Sequence, residues 1–198
     1  MTSVTPRPAP RRLPAEGVPT AELVARARSR EPAAESLLYR RHAADLLAFS
    51  ARLLRSTAAA EDVVHDTFLL VFARLHQLRD PAQFRGWALS IAVSLVRRRL
   101  RRERVLRFVG LDVAPADALE RHAVSGLSVE ARAELAVLDV VLARLPTQQR
   151  LAWALRHVEG EKLEDVALAL GKSLATTKRY LAAAEAVLDA HVRLEPSP

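Results

Sequence analysis

The chain has 198 residues, half of them hydrophobic, with no cysteine and a formal net charge of +7. Disulfides and thiolate metal sites are therefore excluded, and a reducing compartment is permitted. No stretch approaches the roughly 20 apolar residues of a membrane span, so membrane insertion is not expected. Ala, Leu and Arg dominate and β-branched runs are scarce, which makes an all-α protein the expected fold class.

The first residues, MTSVTPRPAPRRLPAEGVPT, carry five prolines and no apolar run. They read as a disordered tail over 1–20 and not as a signal peptide. Residues 21–104 read as one helical domain. Ala21 to Ser29 can form a short first helix. Pro32 suits the first turn of a second helix, which runs to about Arg55 with Leu37, Leu38, Leu46, Leu47, Phe49, Leu53 and Leu54 at helical spacing. Ser56 and Thr57 break and cap. A third helix carries Val64, Phe68, Val71, Phe72 and Leu75. Asp80-Pro81-Ala82-Gln83 is a helix start, with Asp as N-cap, Pro at the first position and Gln at the third. The fourth helix carries Trp87, Ile91 and Leu95 and ends in RRRLRRERVLR.

Residues 105–133 lose the periodicity and hold Gly110, Pro115 and Gly126, so they read as a flexible linker. A second domain spans 134–194. LAVLDVVLARL is one amphipathic helix, Pro146 starts another, and Gly160 stops it. LEDVALALGKSLATTKRYL, Leu163 to Leu181, then reads as a helix-turn-helix. Ala167 permits close backbone approach, and Gly171 supplies the corner. The second helix of such a pair is the one placed in a DNA major groove. Charge divides unevenly between the blocks. Residues 1–134 hold 22 Lys/Arg against 15 Asp/Glu, while 135–198 hold 8 of each. The basic first part favours a polyanion such as nucleic acid.

Three strings taken together resemble a known family. AEDVVHDTF (Ala60 to Phe68), FRGWALSIA (Phe84 to Ala92) and the arginine-rich helix end after them resemble region 2 of the extracytoplasmic-function (ECF) sigma factors of the sigma-70 family. LPTQQRLAWALRHVEG (Leu145 to Gly160), followed by the helix-turn-helix, resembles their region 4. The resemblance spans about residues 30 to 190. It implies two helical domains: a region 2 bundle, and a four-helix region 4 domain with the helix-turn-helix. It also implies a cytoplasmic, non-enzymatic protein without metal or cofactor. Its partners would be core RNA polymerase, promoter DNA and an anti-sigma factor. Region 2 would dock on polymerase and melt the minus-10 element, and region 4 would read the minus-35 element.

Carried onto this chain, the polymerase-docking residues are Asp62, Val63, Asp66 and Phe68. The two carboxylates lie four apart on one helix face. Region 2 must also bind a strand taken out of the duplex, which needs cationic side chains and an aromatic surface. Arg85, Trp87, Ser94, Arg97, Arg98 and Arg101 are the candidates. Trp87 reads equally as a core residue beside Ile91. Region 4 offers Lys172, Ser173, Thr176, Lys178 and Arg179. The chain departs from the family in three ways. Ser94 stands where Asn is usual, and it lacks the bidentate amide that reads adenine. His65 stands where Gln is usual. The recognition helix continues as YLAAAEAVL, without further basic residues.

Other readings are a dimeric helix-turn-helix regulator and a polymerase-binding protein that does not initiate. A third is a metal-dependent helical nuclease built on Asp62, His65 and Asp66, although no second ligand cluster completes such a site.

Overall fold

The computed structural model describes residues 17–108, 138 and 140–194. Residues 1–16 of the tail expected over 1–20, most of the expected linker and the start of LAVLDVVLARL lie outside them, and Thr20, expected in the tail, begins the first helix. The described residues are helical, with no strand among them.

The first block has four α-helices: α1 (Thr20–Arg28), α2 (Pro32–Leu54), α3 (Thr57–Arg74) and α4 (Phe84–Phe108). The expected starts hold. Pro32 sits in the first turn of α2. Ser56 caps α3, its hydroxyl accepting from the Ala59 amide at 3.2 Å, which satisfies one of the unpaired N–H groups of a helix start. Asp80 caps as expected, accepting from the Ala82 amide at 2.9 Å. The turn it opens, Pro81–Gln83, is a 3₁₀ turn that leads into α4 at Phe84. At its far end α4 runs on to Phe108, four residues beyond the expected domain limit at 104. Phe49, Phe84, Leu23, Leu38, Val71, Val93 and Val96 are fully enclosed where the four helices meet.

The second block starts with helical residues 140–144 (α5) and continues with α6 (Thr147–Trp153), α7 (Leu163–Leu170) and α8 (Leu174–Leu194). After α6 the backbone widens into a π-turn over Ala154–Val158, and Gly160 ends the element at φ +68°. The corner between α7 and α8 is built as expected. Gly171 adopts φ +61°, a left-handed conformation that side chains enter under strain. The Lys172 amide reaches back to the Ala167 carbonyl at 2.9 Å and closes the end of α7. Ser173 begins α8, accepting from the Thr176 amide at 3.2 Å. Thr177 is fully buried, and its hydroxyl donates to the Ser173 carbonyl at 3.0 Å.

The two blocks pack against each other. Leu151, Leu155, Val166, Leu170 and Leu181 join the same continuous apolar cluster as the first block's core. Among the described residues, only a small separate cluster, Leu142, Leu145 and Ala184 with Leu138, Trp153 and Leu188 packed on it, belongs to the second block alone.

Candidate nucleic-acid and polymerase interfaces

On α3, Asp62 and Asp66 are exposed on the same face. Asp62 pairs with Arg99 of α4 at 3.0 Å, so half of this acidic pair already has a cation beside it. Val63 and Phe68, expected on the docking face, are 4% and 3% exposed and belong to the core. This corrects the sequence reading: successive helix positions turn by about 100°, so the apolar neighbours of an exposed carboxylate point inward. The apolar side chain that does stand beside Asp62 and Asp66 is Leu69, 57% exposed. Tyr39 of α2, also exposed, packs its ring 4.7 Å from that of Phe68. Among the described residues no group of three His, Asp or Glu side chains gathers closely enough to hold a metal ion.

Helix α4 carries the candidate strand-binding residues, and the structure divides them. Arg98 and Arg101 are exposed, with no ion pair among the described residues. Ser94 is exposed, and its hydroxyl donates to the Ser90 carbonyl at 3.1 Å. That bond keeps it close to its own helix backbone. Trp87 is half-buried, packed against the core with its ring 6.5 Å from Phe84. Arg97 is half-buried and donates to the carbonyl of Leu170, the last residue of α7, at 3.1 Å. Arg85 is held between two carboxylates of the second block, Glu159 at 3.1 Å and Glu161.

Arg85, although exposed, and the half-buried Arg97 therefore differ from Arg98 and Arg101, unpaired among the described residues. Arg85 and Arg97 are both engaged by the second block. Arg150 of α6 makes the reciprocal contact, donating to the Leu53 carbonyl near the end of α2 at 2.8 Å. Each such bond satisfies a carbonyl that a helix C-terminus leaves unpaired, at the negative end of its dipole. Arg104 adds a bond to the Thr147 hydroxyl at 3.2 Å.

The contact between Arg85 and the second block is polar and partly enclosed. His42, Asp45, Leu46, Arg85, Ala88, Leu89 and Glu159 line a small cleft there. Burial raises the Glu159 carboxyl above the usual carboxylate range, against the opposing pull of Arg85 and Arg52. Burial also pushes the His42 imidazole down, helped by Arg41 and Arg85 and opposed by Asp45. Glu159, Glu161, Arg52 and Arg150 were not singled out in the sequence. Their partners lie 74 to 107 positions away, and no helical periodicity links such distant residues.

In the helix-turn-helix, Lys172, Ser173, Lys178 and Arg179 are exposed and Thr176 is half-exposed. Three of these are partly occupied. The Ser173 hydroxyl caps α8 and donates to Thr176 Oγ1 at 3.0 Å. Arg179 Nη2 donates to the same Thr176 oxygen at 3.4 Å. Lys172 and Lys178 have no ion pair among the described residues.

A family model for sigma-70 region 2 matches residues 38–105, and one for sigma-70 region 4 matches residues 135–188. The ferric citrate uptake sigma factor FecI of Escherichia coli K12 is 32% identical over 151 residues, covering 74% of this chain and 84% of FecI. The chain belongs to the ECF sigma factors of the sigma-70 family.

Other relatives agree. The RNA polymerase sigma factor NccH of Alcaligenes xylosoxydans xylosoxydans is 31% identical, over 66% of this chain and 71% of NccH. The probable RNA polymerase sigma factor RfaY of Xanthomonas campestris pv. campestris is 35% identical over 71% of this chain, but the match spans only 36% of RfaY. Among solved structures, CnrH in complex with the cytosolic domain of CnrY superimposes with a TM-score of 0.63. That match has 24% identity and covers 89% of this chain and 99% of the other. RpoE of Bartonella quintana, in complex with the anti-sigma factor NepR, gives 0.65 at 20% identity, over 81% of this chain and 98% of that one. At such identities these two likenesses establish the fold alone.

The function is that of the family, promoter-specific transcription initiation with core RNA polymerase. A helix-turn-helix regulator would account for the second block but leave the region 2 match over residues 38–105 unexplained. No helix among the described residues is long and apolar enough to cross a membrane.

Proposed function

We propose that this sigma factor divides its work between the faces described above. The exposed edge of α3, with Asp62, Asp66 and Leu69, docks on a basic, partly apolar surface of core polymerase. Arg98 and Arg101 follow the phosphates of the minus-10 strand, and Trp87 offers its exposed part to an unstacked base. Ser94 contributes a single hydroxyl in place of an amide, which lowers discrimination for adenine at the position it faces. In region 4, Lys178 and Arg179 make the principal minus-35 contacts, with Lys172, Ser173 and Thr176 beside them. The protein works in the cytoplasm, has no catalytic site of its own and is a target for an anti-sigma factor, as RpoE of B. quintana is for NepR.

The observation that carries this reading is the order of the parts: a region 2 match with a cationic α4, then a region 4 match with a formed helix-turn-helix. The test is transcription in vitro with purified core polymerase on a pool of promoter fragments. The expected result is a defined subset of start sites that appear only when this protein is added. If core enzyme binds the protein but no start site appears, the non-initiating reading replaces this one.

A further inference from the structure

Arg99 differs from its neighbours at the arginine-rich end of α4. Arg98, Arg101 and Arg102 are exposed, with no ion pair among the described residues. Arg99 instead crosses to α3, where its Nη1 donates to Asp62 Oδ2 at 3.0 Å. Its Nε lies 4.0 Å from Glu103, one turn along its own helix, so a carboxylate on each side steers the guanidinium. The Asp62 side chain is 67% exposed, so the contact holds it without enclosing it. Asp66 lies one turn further along the same face of α3. It is exposed too, with no ion pair among the described residues. The two carboxylates share a helix face and a chemistry, and they differ in the cation that already stands beside Asp62.

We propose that Arg99 is a positioning residue for polymerase docking: it holds Asp62 in place of a cation of the partner and so weakens the contact that Asp62 offers. This rests on the reading of the exposed edge of α3 as the docking face. A cation arriving at Asp62 either displaces Arg99 or shares one carboxylate charge with it, and like charges so close repel. Each course subtracts from the gain. Asp66 meets its partner with no such pair to break. Asp66 therefore carries the larger share of docking affinity, and Asp62 adds little until Arg99 is removed. Salt separates the two carboxylates as well. Docking at Asp62 exchanges one ion pair for another, whereas docking at Asp66 adds a pair, and an added exposed pair is what screening weakens.

The test measures binding of purified core RNA polymerase to the full chain, immobilised through an N-terminal tag, across a salt series. R99Q should bind about two- to fivefold tighter than wild type at moderate salt, the range of one exposed ion pair. Its affinity should also fall more steeply with salt. R102Q removes the same charge from an exposed neighbour on α4 and should match wild type. R99K keeps a cation within reach of Asp62 and should match it too. D62N should cost less than D66N in the wild-type background, and as much as D66N in the R99Q background. Far-UV circular dichroism verifies that each variant keeps its helices. Equal affinity of R99Q and R102Q, weaker binding by R99Q, or a cost of D62N that R99Q leaves unchanged overturns the proposal. If D66N weakens binding while R99Q behaves as R102Q does, only the role of Arg99 falls. If D62N and D66N leave binding unchanged in both backgrounds while core enzyme still binds, α3 is not the docking face, and the role of Arg99 falls with it.

Discussion

The two halves of this sigma factor solve the same problem, holding helices at fixed angles for binding, with very different means. The first block has long helices, α2 and α4, of 23 and 25 residues, around large enclosed side chains such as Phe49 and Phe84. The second sets two short helices of 7 and 8 residues, the latter ending at the left-handed Gly171, against the 21-residue α8. Its private core is small, and it borrows the first block's core through Leu151, Leu155, Val166 and Leu170. Charge follows the same division, since all of the net +7 resides in residues 1–134. A module with a small core and no net charge gains stability by docking on its neighbour, and here the docking surface takes up Arg85 and Arg97 of α4.

The strongest way to break this comparison is through the cores. Phe49→Ala should cost about 3–5 kcal/mol, because the site is enclosed by α1–α4 and cannot collapse freely. Leu142→Ala, in the small cluster of the second block, should cost about 2–3 kcal/mol, at the low end for a buried leucine. Urea unfolding of the two variants checks the difference. If Leu142→Ala costs as much as Phe49→Ala, the second block is not the weaker half.

Next comes base reading. Arg179→Ala should re-rank minus-35 variants by about 1–3 kcal/mol if its guanidinium reads a base edge, and Lys178→Ala should weaken all variants alike if it holds phosphate. A promoter library transcribed with each variant separates the two. Identical strength and ranking would mean that α8 does not read DNA through these side chains.

A smaller effect is expected on the first block's side. Replacing the exposed Arg98 and Arg101 by Ala should flatten the salt dependence of single-strand binding by about 0.7 in log–log slope per lost phosphate contact. The same measurement on the Lys178→Ala variant should leave that slope unchanged. A reversed pattern would place strand binding on the second block.

Reversing Asp62 and Asp66 to Lys should weaken co-purification with core polymerase by about 1 kcal/mol at moderate salt, since the pair is exposed and screened. Unchanged assembly would remove α3 from the docking face.

The smallest effect is on pH. His42 lies at the seam with Arg41, Asp45, Arg85 and Glu159 around it, and burial lowers its folded value below the ordinary 6.5. The unfolded chain therefore takes up this proton first. Stability is whole above pH 6.5 and declines as pH falls from there toward the lower folded value. Glu159, raised by burial, acts in the opposite sense: it favours the folded state as pH drops through its folded value. Chemical denaturation between pH 7.5 and 5.5 should show a shallower decline for His42→Gln than for wild type.

Much of the architecture was legible in the residue order. The Ser56 and Asp80 caps, Pro32 at a helix start, and the Gly160 and Gly171 stops are local signals, and each acts through bonds within a few residues. The helix-turn-helix corner is of the same kind. Individual site residues were less legible. AEDVVHDTF places Val63 and Phe68 next to the carboxylates in the string but on the inner side of the helix. The arginine-rich end of α4 reads as one uniform cationic run, yet Arg97 turns toward α7, Arg99 toward Asp62, and Arg98 and Arg101 toward solvent.

The sequence alone determined the all-α class, the two blocks, most helix boundaries and the family, because capping, periodicity and short strings act locally. Only the tertiary structure decided that the blocks close on each other and that Arg85 meets Glu159 and Glu161. The same holds for Arg97 and Arg150, which each satisfy a helix end in the opposite block. Those contacts join residues some 70 to 100 positions apart. They arise where the apolar side chains that α6 and α7 cannot bury among themselves find the first block's core, and the charged groups around that seam are brought together by the packing.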